Sequence, residues 1–200
     1  MIKNIVFDMG NVLLDYNPNV ILDKVCENEA EKEIIFKELF LGEEWIQGDR
    51  GEITNAERFD GVSKRVPEYL HDKLRECVDY WDICMLPVAG AQEFVQTMRD
   101  KGYGLYVLSN ACTKFYEYFP KHYPLHIFDG VVVSSDIHMI KPDPKIYDYL
   151  FNKYDLNPAE CFFIDDRNEN VAAAKKAGMS GIVFQNNYDE IRKILGIAST

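Results

Sequence analysis

Five short apolar runs recur along this chain, and most of them stop abruptly at polar residues. Ile2, Ile5, Val6 and Phe7 lead into Asp8-Met9-Gly10-Asn11, and Tyr103–Leu108 leads into Ser109-Asn110. Val131–Val133 is followed by a loop reaching Lys141, Cys161–Ile164 runs into Asp165-Asp166, and Gly181–Phe184 comes last. Runs this short, rich in β-branched and aromatic residues, are the signature of strands covered on both faces. Helical spacing fills the intervals. Ala91, Phe94, Val95 and Met98 share a face before Gly102, Asp143-Pro144 reads as an N-cap and first turn, and Val171, Ala174 and Gly178 line a further helix. Strands alternating with helices predict a three-layer α/β fold on a parallel sheet of about five strands.

Residues 17–85 break that rhythm. Ile21, Leu22 and Val25 repeat at helical spacing, as do Ile34, Ile35 and Leu39, and again Leu70, Leu74, Cys77, Val78 and Trp81. Thr54 followed by Glu57 has the form of a capping box. The expected organisation is a core made of residues 1–15 and 86–200, with a small helical cap inserted at 16–85.

In an open parallel sheet, ligands bind beyond the carboxyl ends of the strands. That rule gathers Asp8, Ser109, Asn110, Lys141, Asp165 and Asp166 on one edge. Singly, each has an ordinary reading: an aspartate in a turn or N-cap, a Ser-Asn turn, a solvated lysine. Together they form a chemically coherent set. A carboxylate can attack phosphorus and carry the phosphoryl group until water removes it. Two anions meeting need a positive charge between them, which Mg²⁺ held by carboxylates and a carbonyl provides, with Lys141 beside it. The Ser109 hydroxyl and neighbouring backbone N–H groups can donate to phosphate.

Other classes fit poorly. A net charge of −11 repels nucleic acid. The chain has neither a membrane-spanning apolar stretch nor a leader pattern at Met1, so a cytoplasmic protein is expected. Five scattered cysteines form no CxxC pair, and His71, His122, His126 and His138 lack metal-ligand spacing.

The segments FDMGNVLLD, YVLSN, MIKPDPKIY and FFIDDRNENV resemble, in order, the four motifs of the haloacid dehalogenase-like hydrolase superfamily. FDMGNVL with DRGEIT is similar to a subgroup that includes bacterial α-glucose-1-phosphate phosphatases. The phosphatase domain of soluble epoxide hydrolases is a more distant relative. The resemblance implies a Rossmann-like core and an Mg²⁺-dependent phosphatase acting on a small phosphorylated metabolite, such as the sugar phosphate glucose 1-phosphate. It implies Asp8 as nucleophile and metal ligand, a metal-binding carbonyl at Gly10, and phosphoryl contacts from Ser109 and Lys141. Asp166 would ligate the metal directly and Asp165 directly or through water. By position, Asn110 would contact phosphate, Asn11 would contact substrate or accept the turn, Asp15 would brace the junction with the cap, and Asn170 would order the acidic loop.

One departure stands out. Phosphatases of this superfamily usually carry a second aspartate two residues after the nucleophile, where this chain has Gly10. The proton could be dispensable with good leaving groups, or come from water or from a cap residue such as Asp49, Arg50 or Glu52. Alternatively, the protein could be a weakly active phospholigand binder. A 2-haloacid dehalogenase-type hydrolase also manages without that acid, but would leave the Asp165-Asp166 pair without a metal to hold.

Overall fold

The computed structural model describes residues 1–197. Strand β1 (Asn4–Phe7) is the middle of a five-stranded parallel sheet. Its neighbours are β4 (Gly104–Ser109) and β6 (Cys161–Asp165), flanked by β5 (Gly130–Val133) and β7 (Ser180–Val183), in the order β5-β4-β1-β6-β7. Phe7 pairs in register with Val107 on one side and Ile164 on the other. Asp8 therefore ends up level with Asp165 at the carboxyl edge, and Ser109 stands one residue beyond Leu108, which is level with Asp8 on the other side.

The pleat sends alternate residues to opposite faces, and each face has its own core. Ile5, Phe7, Leu105, Val107, Phe162 and Ile164 pack with α6 (Ala91–Asp100) and α11 (Tyr188–Ile194). Val6, Tyr106, Leu108 and Phe163 pack with α9 (Pro144–Tyr154) and α10 (Asn168–Lys176). The three-layer architecture follows directly from this alternation. Two shorter helices, α7 (Phe115–Tyr118) and α8 (Ser134–Ile137), follow β4 and β5 at the carboxyl edge.

A two-stranded antiparallel ribbon, β2 (Leu14–Tyr16) and β3 (Met85–Pro87), leaves the core beyond Asp8. Sequence periodicity gives no sign of it, because three residues are too few to show alternation. Between its strands lie α1 (Asn19–Val25), α2 (Glu29–Ile35), a π-helical turn (Phe36–Phe40), α3 (Glu43–Asp49), α4 (Asn55–Ser63) and α5 (His71–Tyr80). The capping box at the start of α4 is present in both directions, Thr54 to the Glu57 N–H and Glu57 to the Thr54 N–H. The buried cluster on the α6 face continues without a break through Leu39, Val62, Leu74 and Val78 of these helices. Among the described residues, no helix is long and apolar enough to cross a membrane. The cysteines are all free.

Candidate active site

The site begins with Asp8, one residue past the central strand. Its N–H continues the sheet by donating to the Ile164 carbonyl at 2.8 Å. Its Oδ1 accepts from the Met9 N–H at 2.7 Å and from Lys141 Nζ at 2.8 Å. No donor among the described residues reaches Oδ2. The following turn is anchored from the core by two tyrosine hydroxyls, Tyr123 to the Leu13 carbonyl and Tyr188 to the Val12 carbonyl.

Lys141 is buried between two carboxylates, with Asp165 Oδ2 at 2.7 Å on its other side. Burial by itself would lower the lysine's affinity for its proton. Asp165 and Asp8 outweigh that, so its pKa is raised and the ammonium stays charged. Burial pushes Asp8 up to about 7, against the pull of Lys141 and with help from Asp165 and Asp166. One cation thus faces three carboxylates, so a residual negative charge remains at this edge.

Asp165 accepts hydrogen bonds at both oxygens. Asn170 Nδ2 donates to both its oxygens, at 3.0 and 3.1 Å, and the Arg167 N–H donates to Oδ1 at 2.9 Å. Asn170 orders the acidic loop as its position predicts. Asp166 is half-buried and accepts from Asn11 Nδ2 at 2.9 Å. Of the two expectations for Asn11, the turn is the one seen: it takes the left-handed conformation at φ 55°, and its Oδ1 accepts from the Tyr16 N–H. Asn11 thereby ties Asp166 to β2. That bracing was expected of Asp15, which is exposed and makes no side-chain hydrogen bond or ion pair among the described residues.

Asn110 lines the cavity over Asp8. Its amide donates to the Lys141 carbonyl at 3.0 Å and accepts from the Lys141 N–H at 2.8 Å. The side chain thereby clamps the lysine loop to the end of β4. Ser109 shows the opposite: its hydroxyl is wholly buried and has no hydrogen-bond partner. An orphaned buried hydroxyl costs about 1–3 kcal/mol unless a ligand or water satisfies it.

The residues fit a hard divalent cation. Asp8, Asp165 and Asp166 each offer an oxygen, all within 4.8 Å of one another. This all-oxygen, net-negative set suits Mg²⁺. The Gly10 carbonyl belongs to the same loop, and a Cβ at Gly10 would meet no atom within 4 Å. Room for an acidic side chain exists there, and the chain leaves it empty.

A cavity of about 570 Å³ opens over Asp8. Its floor includes Asp8, Gly10, Lys141 and Asp166, and its roof comes from the end of β2 and the segment between β2 and β3: Tyr16, Phe40, Trp45, Asp49, Arg50 and Trp81. Of Asp49, Arg50 and Glu52, the first two line this cavity. Glu52 faces a separate one of about 710 Å³ on the other side of α3, which contains none of the three carboxylates. Burial pushes the Asp49 carboxyl up to about 7, against the pull of Arg58 and a hydrogen bond from the Cys112 backbone. Sequence reading did not find the aromatic roof, because its members lie on four different elements.

Comparison with known proteins follows this geometry. A family model for haloacid dehalogenase-like hydrolases matches residues 2–178. A sesquiterpene phosphatase of Aspergillus oryzae, astK, is 26% identical over 204 residues, spanning 97% of this chain and 97% of that protein. A phosphoglycolate phosphatase of Pasteurella multocida is 26% identical over 150 residues, 72% of this chain and 63% of the relative. Among solved structures, HAD family enzyme bt-2542 of Bacteroides thetaiotaomicron, in complex with magnesium and inorganic phosphate, is similar with a TM-score of 0.74. It is 23% identical, and the match covers 96% of this chain and 99% of that one.

Proposed function

Because the chain belongs to the haloacid dehalogenase-like hydrolase family, we propose that it is a Mg²⁺-dependent phosphatase working through a phospho-Asp8 intermediate. The observation that carries this reading is the juxtaposition at one sheet edge of Asp8, the Asp165-Asp166 pair, buried Lys141 and the unpartnered hydroxyl of Ser109.

Asp8, Asp166 and the Gly10 carbonyl would hold the metal, with Asp165 behind them. When bound, Mg²⁺ offsets the repulsion between the carboxylate and the phosphate and polarises the phosphoryl oxygens. Lys141 fixes the Asp8 carboxylate through Oδ1 and adds a positive charge beside the transferring group. Ser109 donates to a phosphoryl oxygen. An Asp8 oxygen bonds to phosphorus as the ester oxygen departs with the electron pair of the P–O bond. Water then attacks the acyl phosphate, releasing inorganic phosphate and restoring Asp8. The departing oxygen needs a proton that Gly10 cannot give. Asp49 is our candidate for that donor: it lines the cavity above Asp8 and stays protonated up to about pH 7.

The substrate is a small phosphorylated metabolite that fits beneath the roof. The relatives named above act, by name, on a sesquiterpene phosphate and on phosphoglycolate, which differ widely in leaving group.

A screen over acetyl phosphate, sugar phosphates, nucleotides and alkyl phosphates, with and without Mg²⁺, tests the reading. Mg²⁺-dependent phosphate release that disappears in Asp8→Asn is expected. Activity surviving Asp8→Asn removes the covalent mechanism. Halide release from 2-haloacids without Mg²⁺ replaces the phosphatase with a dehalogenase.

A further inference from the structure

The roof above Asp8 combines four aromatic rings, Tyr16, Phe40, Trp45 and Trp81, with the charged side chains of Asp49 and Arg50. Trp45 packs against Phe40 and Trp81, each with centroids 5.1 Å away, and against Tyr16 at 5.8 Å. Trp81 continues to Tyr118 at 5.4 Å, and the Tyr118 hydroxyl donates to Met9 Sδ at 3.3 Å, next to the nucleophile. Leu41 and Ile46 extend this apolar surface to the cavity mouth, where they are 67% and 39% exposed. Within the wall, two polar atoms are buried without partners: Tyr16 Oη and Trp81 Nε1. Burial and Asp49 hold the Tyr16 phenol well above its ordinary pKa, so it remains an O–H donor.

Resting on the phosphatase reading, the geometry points to a leaving-group subsite for the phosphate monoester of an apolar, ring-bearing or prenyl-type alcohol rather than of a sugar. A hexosyl group would bring several hydroxyls beneath this roof. Each one stripped of water needs a partner, and the faces of the four rings offer none, which leaves Asp49 and Arg50 to serve them from the roof. An apolar body instead gains from burial and from edge and face contacts with the rings. The cavity, about 570 Å³, falls in the size range of sites for small organic ligands, roughly 300–1,000 Å³.

The test matches leaving groups, so that intrinsic reactivity does not decide it. 2-Phenylethyl phosphate and glucose 6-phosphate are both primary alkyl esters. With Mg²⁺, the wild-type protein is expected to show at least ~10-fold higher kcat/KM for the former, a ratio that Trp45→Ala reduces about tenfold. Equal or better turnover of glucose 6-phosphate overturns the subsite, as does a Trp45→Ala variant that lowers both substrates alike. Hydrolysis of acetyl phosphate but of neither alkyl ester also overturns it, while the phosphatase reading stands. Should none of the three turn over, that reading fails. Tryptophan fluorescence of Asp8→Asn with Mg²⁺ then decides the subsite, through tighter binding of 2-phenylethyl phosphate or, against it, of glucose 6-phosphate.

Discussion

Asp49 reaches a pKa of about 7 because its carboxyl is desolvated on α3 and Arg58 only partly offsets that. As donor to the leaving oxygen it must be protonated, so kcat for an alkyl ester should fall as pH rises through about 7. Asp49→Asn should lower that kcat by ~10²–10⁴-fold and flatten the pH limb, with much less effect on acetyl phosphate, whose leaving group needs no proton. Gly10→Asp should restore part of the loss, since a side chain at Gly10 meets nothing within 4 Å. Steady-state pH profiles of the single and double variants check this. Stability gives an independent reading. The folded protein holds the Asp49 proton more tightly than the unfolded chain, whose aspartates titrate near 3.8. The contribution is therefore present below about pH 4 and lost as pH climbs to about 7, so Asp49→Asn should be more stable at pH 8 by on the order of 1–3 kcal/mol. Lys141 poses the opposite problem. Replacing it with methionine leaves Asp8 and Asp165 facing each other without a cation, which should cost about 3–5 kcal/mol in urea unfolding at neutral pH. The cost should shrink at pH 5, below the value of about 7 to which burial pushes Asp8.

At the scale of elements, the position of Asp49 depends on how the end of α3 docks on α8. The Ser134 hydroxyl donates to the Asp49 carbonyl, and a His138 ring nitrogen lies 2.8 Å from the Arg50 carbonyl. Gly51 closes the contact at φ +69°, where a Cβ would sit 2.4 Å from the Ser135 carbonyl oxygen. Gly51→Ala meets both objections: the left-handed conformation alone costs about 1–2 kcal/mol, and the clash pushes α3 away from the core. We expect a lower Tm together with a roughly tenfold lower kcat, as 1 Å misplacements of reacting groups produce. Wild-type values in calorimetry and turnover would show that this docking does not position the roof.

For the whole molecule, excess acid is the dominant electrostatic fact, at a net charge of −11, and the sheet edge concentrates three of those carboxylates around one lysine. A divalent cation bound only by the folded state should stabilise it. At Mg²⁺ a hundredfold above its dissociation constant the gain is about 2.7 kcal/mol, a Tm increase of roughly 5–10 °C for a chain of this size. Thermal unfolding with Mg²⁺ and with chelator measures it, and Asp166→Asn should abolish most of the difference. An unchanged Tm in the wild type would mean that the cluster does not hold the ion.

The sequence by itself determined the sheet, the helices that cover it and the edge at which polar residues gather. Those features are written locally: short continuous apolar runs along β1, β4 and β6, helical spacing in α6, α9 and α10, and an abrupt polar stop after Phe7, Leu108 and Ile164. Strand-end position then brings Asp8 level with Asp165 and sets Ser109 one residue further along the next strand, because parallel pairing holds the three strand ends to one edge. Only the tertiary structure decided what Asn11 and Asn110 do, since their partners, Asp166 and Lys141, are 155 and 31 residues away. It likewise separated Asp49 from Glu52, three residues apart yet on different cavities, and assembled Tyr16, Trp45, Trp81 and Tyr118 into one roof. No local rule brings such distant side chains together. Their meeting depends on how the β2–β3 ribbon and the packing of α1–α5 set the inserted helices over the sheet edge, and that balance of many small contacts has no short motif.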